Sequence, residues 1–183
     1  MQVDGPLQNL WQFRTEGVVK MCLRFGYFLY SDGKASVGKR FECIAVNSYT
    51  EIFGTNDSRT LTAMNNLAST YRSLGQMNEA AELHEKVLEA RQRTLGTEHP
   101  ATLSSMYNLA TTYWELSRSE DAIHLFRAEL TKCHNHYGAH HKDTVASCMN
   151  LIGNYHEVGL VAEAEGLLTQ YLESLSTEER NVM

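Results

Sequence analysis

The chain has 183 residues, a formal net charge of −6 and 43% hydrophobic residues. That content is enough for a packed core and too high for a disordered chain. No apolar run is long enough to span a membrane, and the lack of a basic stripe argues against nucleic acid as the main ligand. The charge is uneven. Segment 58–99 balances five basic residues against five glutamates, whereas 142–183 sets only Lys142 and Arg180 against seven acids.

In chain order, residues 1–17 lack the basic start and apolar run of a secretory signal. The apolar stretch 7–13 (LQNLWQF) is expected to cover the first helix behind it, with Leu10, Trp11 and Phe13 as contacts. Cys22, Cys43, Cys133 and Cys148 show neither a CxxC pair nor a disulfide framework. They read as reduced, mostly buried thiols of a cytoplasmic protein.

An internal repeat organises the rest. Shifted by 42 positions, segment 58–99 falls on 100–141 without a gap. The pairs Met64/Met106, Asn66/Asn108, Leu67/Leu109, Ala68/Ala110, Tyr71/Tyr113, Ala80/Ala122, Gly96/Gly138 and His99/His141 are among 14 identities. Chance would give roughly two or three. A second shift reaches Thr144, Asn150, Leu151, Tyr155, Gly159, Ala164, Leu167 and Leu172. The reverse shift reaches a weaker unit with Val19, Cys22, Phe25, Gly26, Gly33, Phe41, Val46, Phe53 and Gly54. Four units follow, 18–57, 58–99, 100–141 and 142–175, and a polar tail at 176–183 is expected to fray.

Each unit reads as a helix pair. Leu61, Met64, Leu67, Ala68, Tyr71 and Leu74 recur at spacings of three and four, one face of a helix. Gly75 stops it, Asn78 is expected to cap the next, and Ala80, Leu83, Val87, Leu88 and Arg91 continue the apolar face. Gly96 ends that second helix, and Pro100 opens the following one, where no amide hydrogen is needed. Ala68 and Ala80 mark the close approach of the two helices, where a larger side chain overpacks by roughly 1–3 kcal/mol. Tyr71, Tyr113 and Tyr155 are expected between neighbouring pairs.

The pattern Asn66-Leu67-Ala68, Tyr71, Gly75, Ala80, Leu83 and Leu88 resembles the tetratricopeptide repeat. Its 42-residue period and the G-x-x-H-P link from Gly96 to Pro100 are similar to the repeats of kinesin light chain. They are also similar to repeat arrays in fungal and bacterial nucleotide-binding signalling receptors. The resemblance covers about residues 18–175. It implies an all-α, right-handed superhelical solenoid of four antiparallel helix pairs, whose concave face, lined by the first helices, binds peptides.

In that arrangement the non-core faces of the first helices become a peptide groove. Its candidate residues are Arg24 and Tyr27, then Asn65, Asn66 and Arg72, then Tyr107, Asn108 and Trp114, then Asn150 and His156. Asparagine bonds an extended backbone with both donor and acceptor, and Tyr, Trp and Arg are frequent anchors. The ladder Asn66, Asn108 and Asn150 is read as the backbone grip, against the alternative that each caps or bridges helices. Trp114 is open between ligand anchor and cover for the next helix. Chaperone-tail binders of the family hold a carboxylate with lysine, and Asn65, Tyr107 and Met149 offer none.

No constellation specifies catalysis, a metal or a cofactor. Cys133, His134, His136, His140 and His141 cluster in sequence without a standard zinc spacing, and His141 aligns with His99 in a loop motif. No phosphate-binding frame surrounds Gly33-Lys34 or Gly38-Lys39, and no cysteine has a histidine fixed beside it. The last helix carries Leu167, Leu168, Tyr171, Leu172 and Leu175 with no capping helix behind it. Truncation from a longer array, self-association through this flank, or a docking partner would each account for that. The expected role is a protein-interaction module holding a peptide or protein segment. A receptor repeat region and a small-molecule-binding protein or enzyme using the groove are the alternatives.

Overall fold

The computed structural model describes the backbone of residues 15–182 and the side chains of residues 15–176. The expectation for residues 7–13 lies outside the described residues. The chain divides into two compact units, Met1–Thr94 and Leu95–Met183.

The first unit holds α1 (Glu16–Ser31), α2 (Ala35–Phe53), α3 (Ser58–Ser73) and α4 (Met77–Leu95). The second holds α5 (Pro100–Glu115), α6 (Ser119–Tyr137), α7 (Lys142–Glu157) and α8 (Val161–Val182). The described secondary structure is all helical. First helices begin 42 residues apart, as do second helices, so the sequence repeat is also the structural one.

Two local devices recur. Inside each pair the turn passes through a left-handed residue: Gly33, Gly75, Ser117 and Gly159 have φ of 74°, 73°, 60° and 80°. The next amide closes the turn onto the carbonyl five residues back, as in Gln76 N to Tyr71 O (2.9 Å) and Arg118 N to Tyr113 O (2.9 Å). Ser117 alone among the described non-glycine residues takes a positive φ, and its Cβ carries the strain that glycine avoids.

Between pairs the first helix is capped by its preceding residue. Asp57, His99 and His141 occupy one register position, and each side chain accepts from the amide two residues on. For the histidines the acceptor is Nδ1, at 3.1 Å from Ala101 N and 3.3 Å from Asp143 N. His99 and His141 are therefore helix caps. Thr60 and Thr102 add a tie, each donating its buried hydroxyl to the carbonyl of Gly54 or Gly96 at 2.8 Å.

Two expectations change. Asn78 is not a cap: α4 begins at Met77, and the carbonyl of Gln76 accepts the first helical amide, from Ala80 (3.1 Å). The short turn leaves no room for a further cap residue. The tail does not end the helix at Leu175, because α8 runs on to Val182. The segment Ser176–Val182 contains no glycine or proline to stop it.

The small residues sit where the pairs close. Ala68, Ala80, Ala110 and Ala122 have no exposed surface. In the first pair both positions are glycine. A Cβ on Gly38 would lie 2.7 Å from the carbonyl oxygen of Gly26, and one on Gly26 would lie 3.1 Å from the carbonyl oxygen of Gly38. Neighbouring pairs then join through the tyrosines. Tyr71 packs with Cys43, Leu67 and Ala80 in the first unit. Tyr155 packs with Phe126, Leu130 and Leu151 in the second.

Replacing Ser117 with glycine should raise unfolding free energy by roughly 0.5–1 kcal/mol, measured by urea denaturation. His99→Ala should lower it by about 1 kcal/mol while His99→Asp restores it, since Asp57 already caps the equivalent helix.

Candidate functional site

The second unit brings the first helices α5 and α7 side by side, with the end of α6 beneath them. A cavity of about 340 Å³ opens between them. Ser104, Tyr107 and Asn108 line it from α5, Asp143 and Asn150 from α7, and Glu129 from α6. Three of the expected groove residues thus meet in one cleft. Tyr107 and Asn150 are bonded directly, with Asn150 Nδ2 donating to the tyrosine hydroxyl at 3.3 Å. The ring of Tyr107 stands edge-on to Phe126, with centroids 5.8 Å apart, which fixes the hydroxyl at the cleft wall.

The remaining candidates are placed differently. Trp114 is half-buried and packs against the core cluster built on Phe126, Leu151 and Tyr155. It covers that cluster and does not line the cleft. His156 is exposed near the end of α7. In the first unit Asn65, Asn66 and Arg72 are half-buried on α3, while Arg24 and Tyr27 are exposed on α1. Arg24 borders an open depression with Met21, Phe25 and Phe28, three exposed apolar side chains.

Glu129 was not expected at this site. Its side chain is 4% exposed. Oε1 accepts from the Cys133 thiol and from the Ser147 hydroxyl, both at 2.9 Å, and Oε2 has no hydrogen-bond partner. Burial pushes its carboxyl above the usual range, partly opposed by those two hydrogen bonds. The equivalent residues are Ala45 and Val87, both apolar and fully buried, and then Tyr171. A carboxylate at an otherwise uncharged core position was the signal available in the sequence.

The cysteines do not offer a nucleophile. None of the four forms a disulfide, and all are buried. Burial and the Glu129 carboxylate push Cys133 up to about 12, and burial pushes Cys148 up to about 11, so neither holds a thiolate near neutrality. Among the described residues no group of three His, Cys, Asp or Glu is placed to hold a metal ion. His136 and His141 instead both pack on Tyr137, His136 perpendicular to its ring at 4.5 Å between centroids and His141 stacked on it at 4.3 Å.

A second cavity of the same unit, of about 530 Å³, lies between α6 and α8. Leu130, Leu151 and Leu167 form its apolar floor, and Arg127, His134 and Gln170 stand at its rim. Arg127 is held in place by donating from Nε to the Tyr155 hydroxyl at 3.0 Å.

The repeats can now be compared with known ones. The tetratricopeptide repeat family model matches residues 45–92 and 59–133. Residues 45–133 carry tetratricopeptide repeats. Nearly identical TPR-like repeats of a Podosopora anserina protein assigned as a kinesin light chain are similar in structure. They superpose with a TM-score of 0.79 at 24% identity, covering 87% of this chain and 75% of that one. BtubC (BKLC) of P. vanneervenii matches with a TM-score of 0.77 at 18% identity, over 88% of this chain and 64% of that one. Aspartyl phosphate phosphatase F of Bacillus subtilis matches with a TM-score of 0.73 at 13% identity, over 97% of this chain and 43% of that one. At these identities the likeness is one of fold. No curated protein sequence matches this one significantly. None of the described helices of this tetratricopeptide array is long and apolar enough to cross a membrane.

Two buried titratable groups of the array make stability depend on pH. His84 is fully buried with both ring nitrogens unpartnered, and burial, then Arg72 and Arg91, lower it from 6.5 to about 4. The unfolded chain therefore takes up the proton first, and stability falls as pH drops from about 6.5 toward 4. His84→Phe, which places the residue found at the equivalent Phe126, should abolish that loss of up to about 3 kcal/mol, read from urea midpoints across this range. Glu129 has the opposite profile. Burial raises its carboxyl above the ordinary 4.5, so ionising it costs stability as pH rises above 4.5, and Glu129→Gln should relieve that loss there but not below.

Proposed function

We propose that the chain is a protein-interaction module that holds an extended peptide segment against the first helices of its repeats, in the cleft between α5 and α7. One observation carries the reading. Asn108 and Asn150, one repeat apart in sequence, line the same open cleft. An extended chain offers amide and carbonyl groups at short regular intervals, and a carboxamide answers either. The cleft is walled by an aromatic residue whose hydroxyl is already held, and such pre-organised Tyr side chains are efficient contacts. The tetratricopeptide fold supports a role in binding protein partners.

A second surface supports self-association. On α8, Leu167 and Tyr171 pack inward, while Leu168 and Leu172 are 45% and 55% exposed. Glu165 and Glu173 stand on the same exposed helix. The apolar residues Met21, Phe25 and Phe28 of α1 stand instead among Lys20 and Arg24. A second copy offers a face of matching hydrophobicity, with Arg24 as the charge opposite to those glutamates, since Lys20 already pairs with Glu16 at 2.8 Å.

Asn108→Ala combined with Asn150→Ala should reduce partner recovery in a pull-down at least about tenfold while leaving the thermal midpoint within a few degrees. Unchanged recovery would remove the groove reading. For self-association, light scattering at rising concentration should show a dimer or larger species that Leu168→Glu/Leu172→Glu abolishes. A strict monomer at high concentration refutes it.

A further inference from the structure

We infer that the floor of the cleft between α5 and α7 is a receptor for a single lysine side chain of the bound segment, with Glu129 as its counter-charge. The inference rests on the groove reading above and names what that groove selects.

Packing at this register position does not require a carboxyl, because Ala45 and Val87 fill it elsewhere, and the tie from Glu129 to Ser147 uses only one of its two oxygens. Glu129 leaves one oxygen, Oε2, without a hydrogen bond although the residue lines the cavity and is 96% withdrawn from solvent, its exposure being 4%. A buried acceptor left unmade costs more than a surface one, so a donor arriving through the cleft gains by filling it. No described Lys, Arg or His lines the cleft, and Asp143 adds a second acid at its edge. The site is built to receive positive charge.

The geometry also chooses between the two basic side chains. An arginine fork binds a carboxylate best through both oxygens. Oε1 is already occupied twice, by Cys133 and Ser147. A single free oxygen suits the compact ammonium of lysine, whose other N–H groups are left for Asp143 and the cleft amides. Removing the positive charge from the ligand, or the negative charge from the floor, should have the same effect.

The test uses the full chain against an array of random peptides with a fixed central residue: lysine, acetyl-lysine, arginine or norleucine. Wild-type protein should retain lysine peptides at least about tenfold more strongly than acetyl-lysine or norleucine peptides, and more strongly than arginine peptides. Glu129→Gln, checked by circular dichroism and thermal melting, should bind peptides of all four classes alike. Asp143→Asn, a variant at the exposed edge, should weaken lysine binding less than Glu129→Gln does. The inference is overturned if Glu129→Gln keeps the lysine preference, or if wild-type protein binds peptides with no preference for lysine. In the second case the groove reading survives alone. Absence of binding to every class overturns both.

Discussion

Two helices that cross almost in contact leave room for no more than a methyl group at the crossing point. In this chain that point is filled by Ala68 with Ala80 and by Ala110 with Ala122, all without exposed surface. In the first pair, Gly26 and Gly38 approach so closely that a Cβ on Gly38 would meet backbone at 2.7 Å. Close crossing lets the flanking large residues of one pair reach the next. Tyr71 lies against Cys43, and Tyr155 against Phe126 and Leu130. A helix pair with one apolar face is not stable alone, so this second contact completes each pair. The cleft follows from the same constraint, because it is the space that two neighbouring first helices leave above the second helix between them.

The linkers determine where each helix begins. The caps Asp57, His99 and His141, and the threonine ties behind two of them, hold the first helices in equivalent positions. This gives the histidines near residue 140 a structural role. A run of Cys and His residues in sequence resembles a ligand set, yet His141 uses its Nδ1 for an amide and Cys133 donates to Glu129. Their chemistry is spent inside the fold.

Several polar groups in the core leave an atom without a hydrogen bond. Glu42 lies at a crossing of the first pair, where its Cγ would crowd a Cβ on Gly26; the hydroxyl of Thr70 bonds it, and its Oε2 has no hydrogen-bond partner. His84 and Glu129 stand where equivalent repeats use Phe126 and Val87, and both leave polar atoms unmatched. Such atoms lower stability, and they are kept in natural proteins most often where a ligand or a partner uses them. Glu129 lines an open cleft, whereas no cavity described above is lined by the wholly enclosed His84.

The periodicity of the sequence determined the helices, their order and most of the buried positions. The reason is that packing at the crossings repeats every 42 residues and tolerates few side chains. The asparagines Asn108 and Asn150 were legible for the same reason, as polar residues recurring in register. The cap after Gly75 lies two residues before the one read from the sequence, since Asn78 has cap chemistry but Gln76 holds the cap position. Only the tertiary structure decided that Trp114 covers a core while Tyr107 lines a cleft. Both are aromatic, lie about two turns apart on one helix and touch the same core cluster, and only Tyr107 also reaches the cleft, because burial depends on what the next pair places against each face. Only the tertiary structure, too, joined Glu129 to Ser147 and Asn150, because residues on different helices share a site through packing and not through spacing.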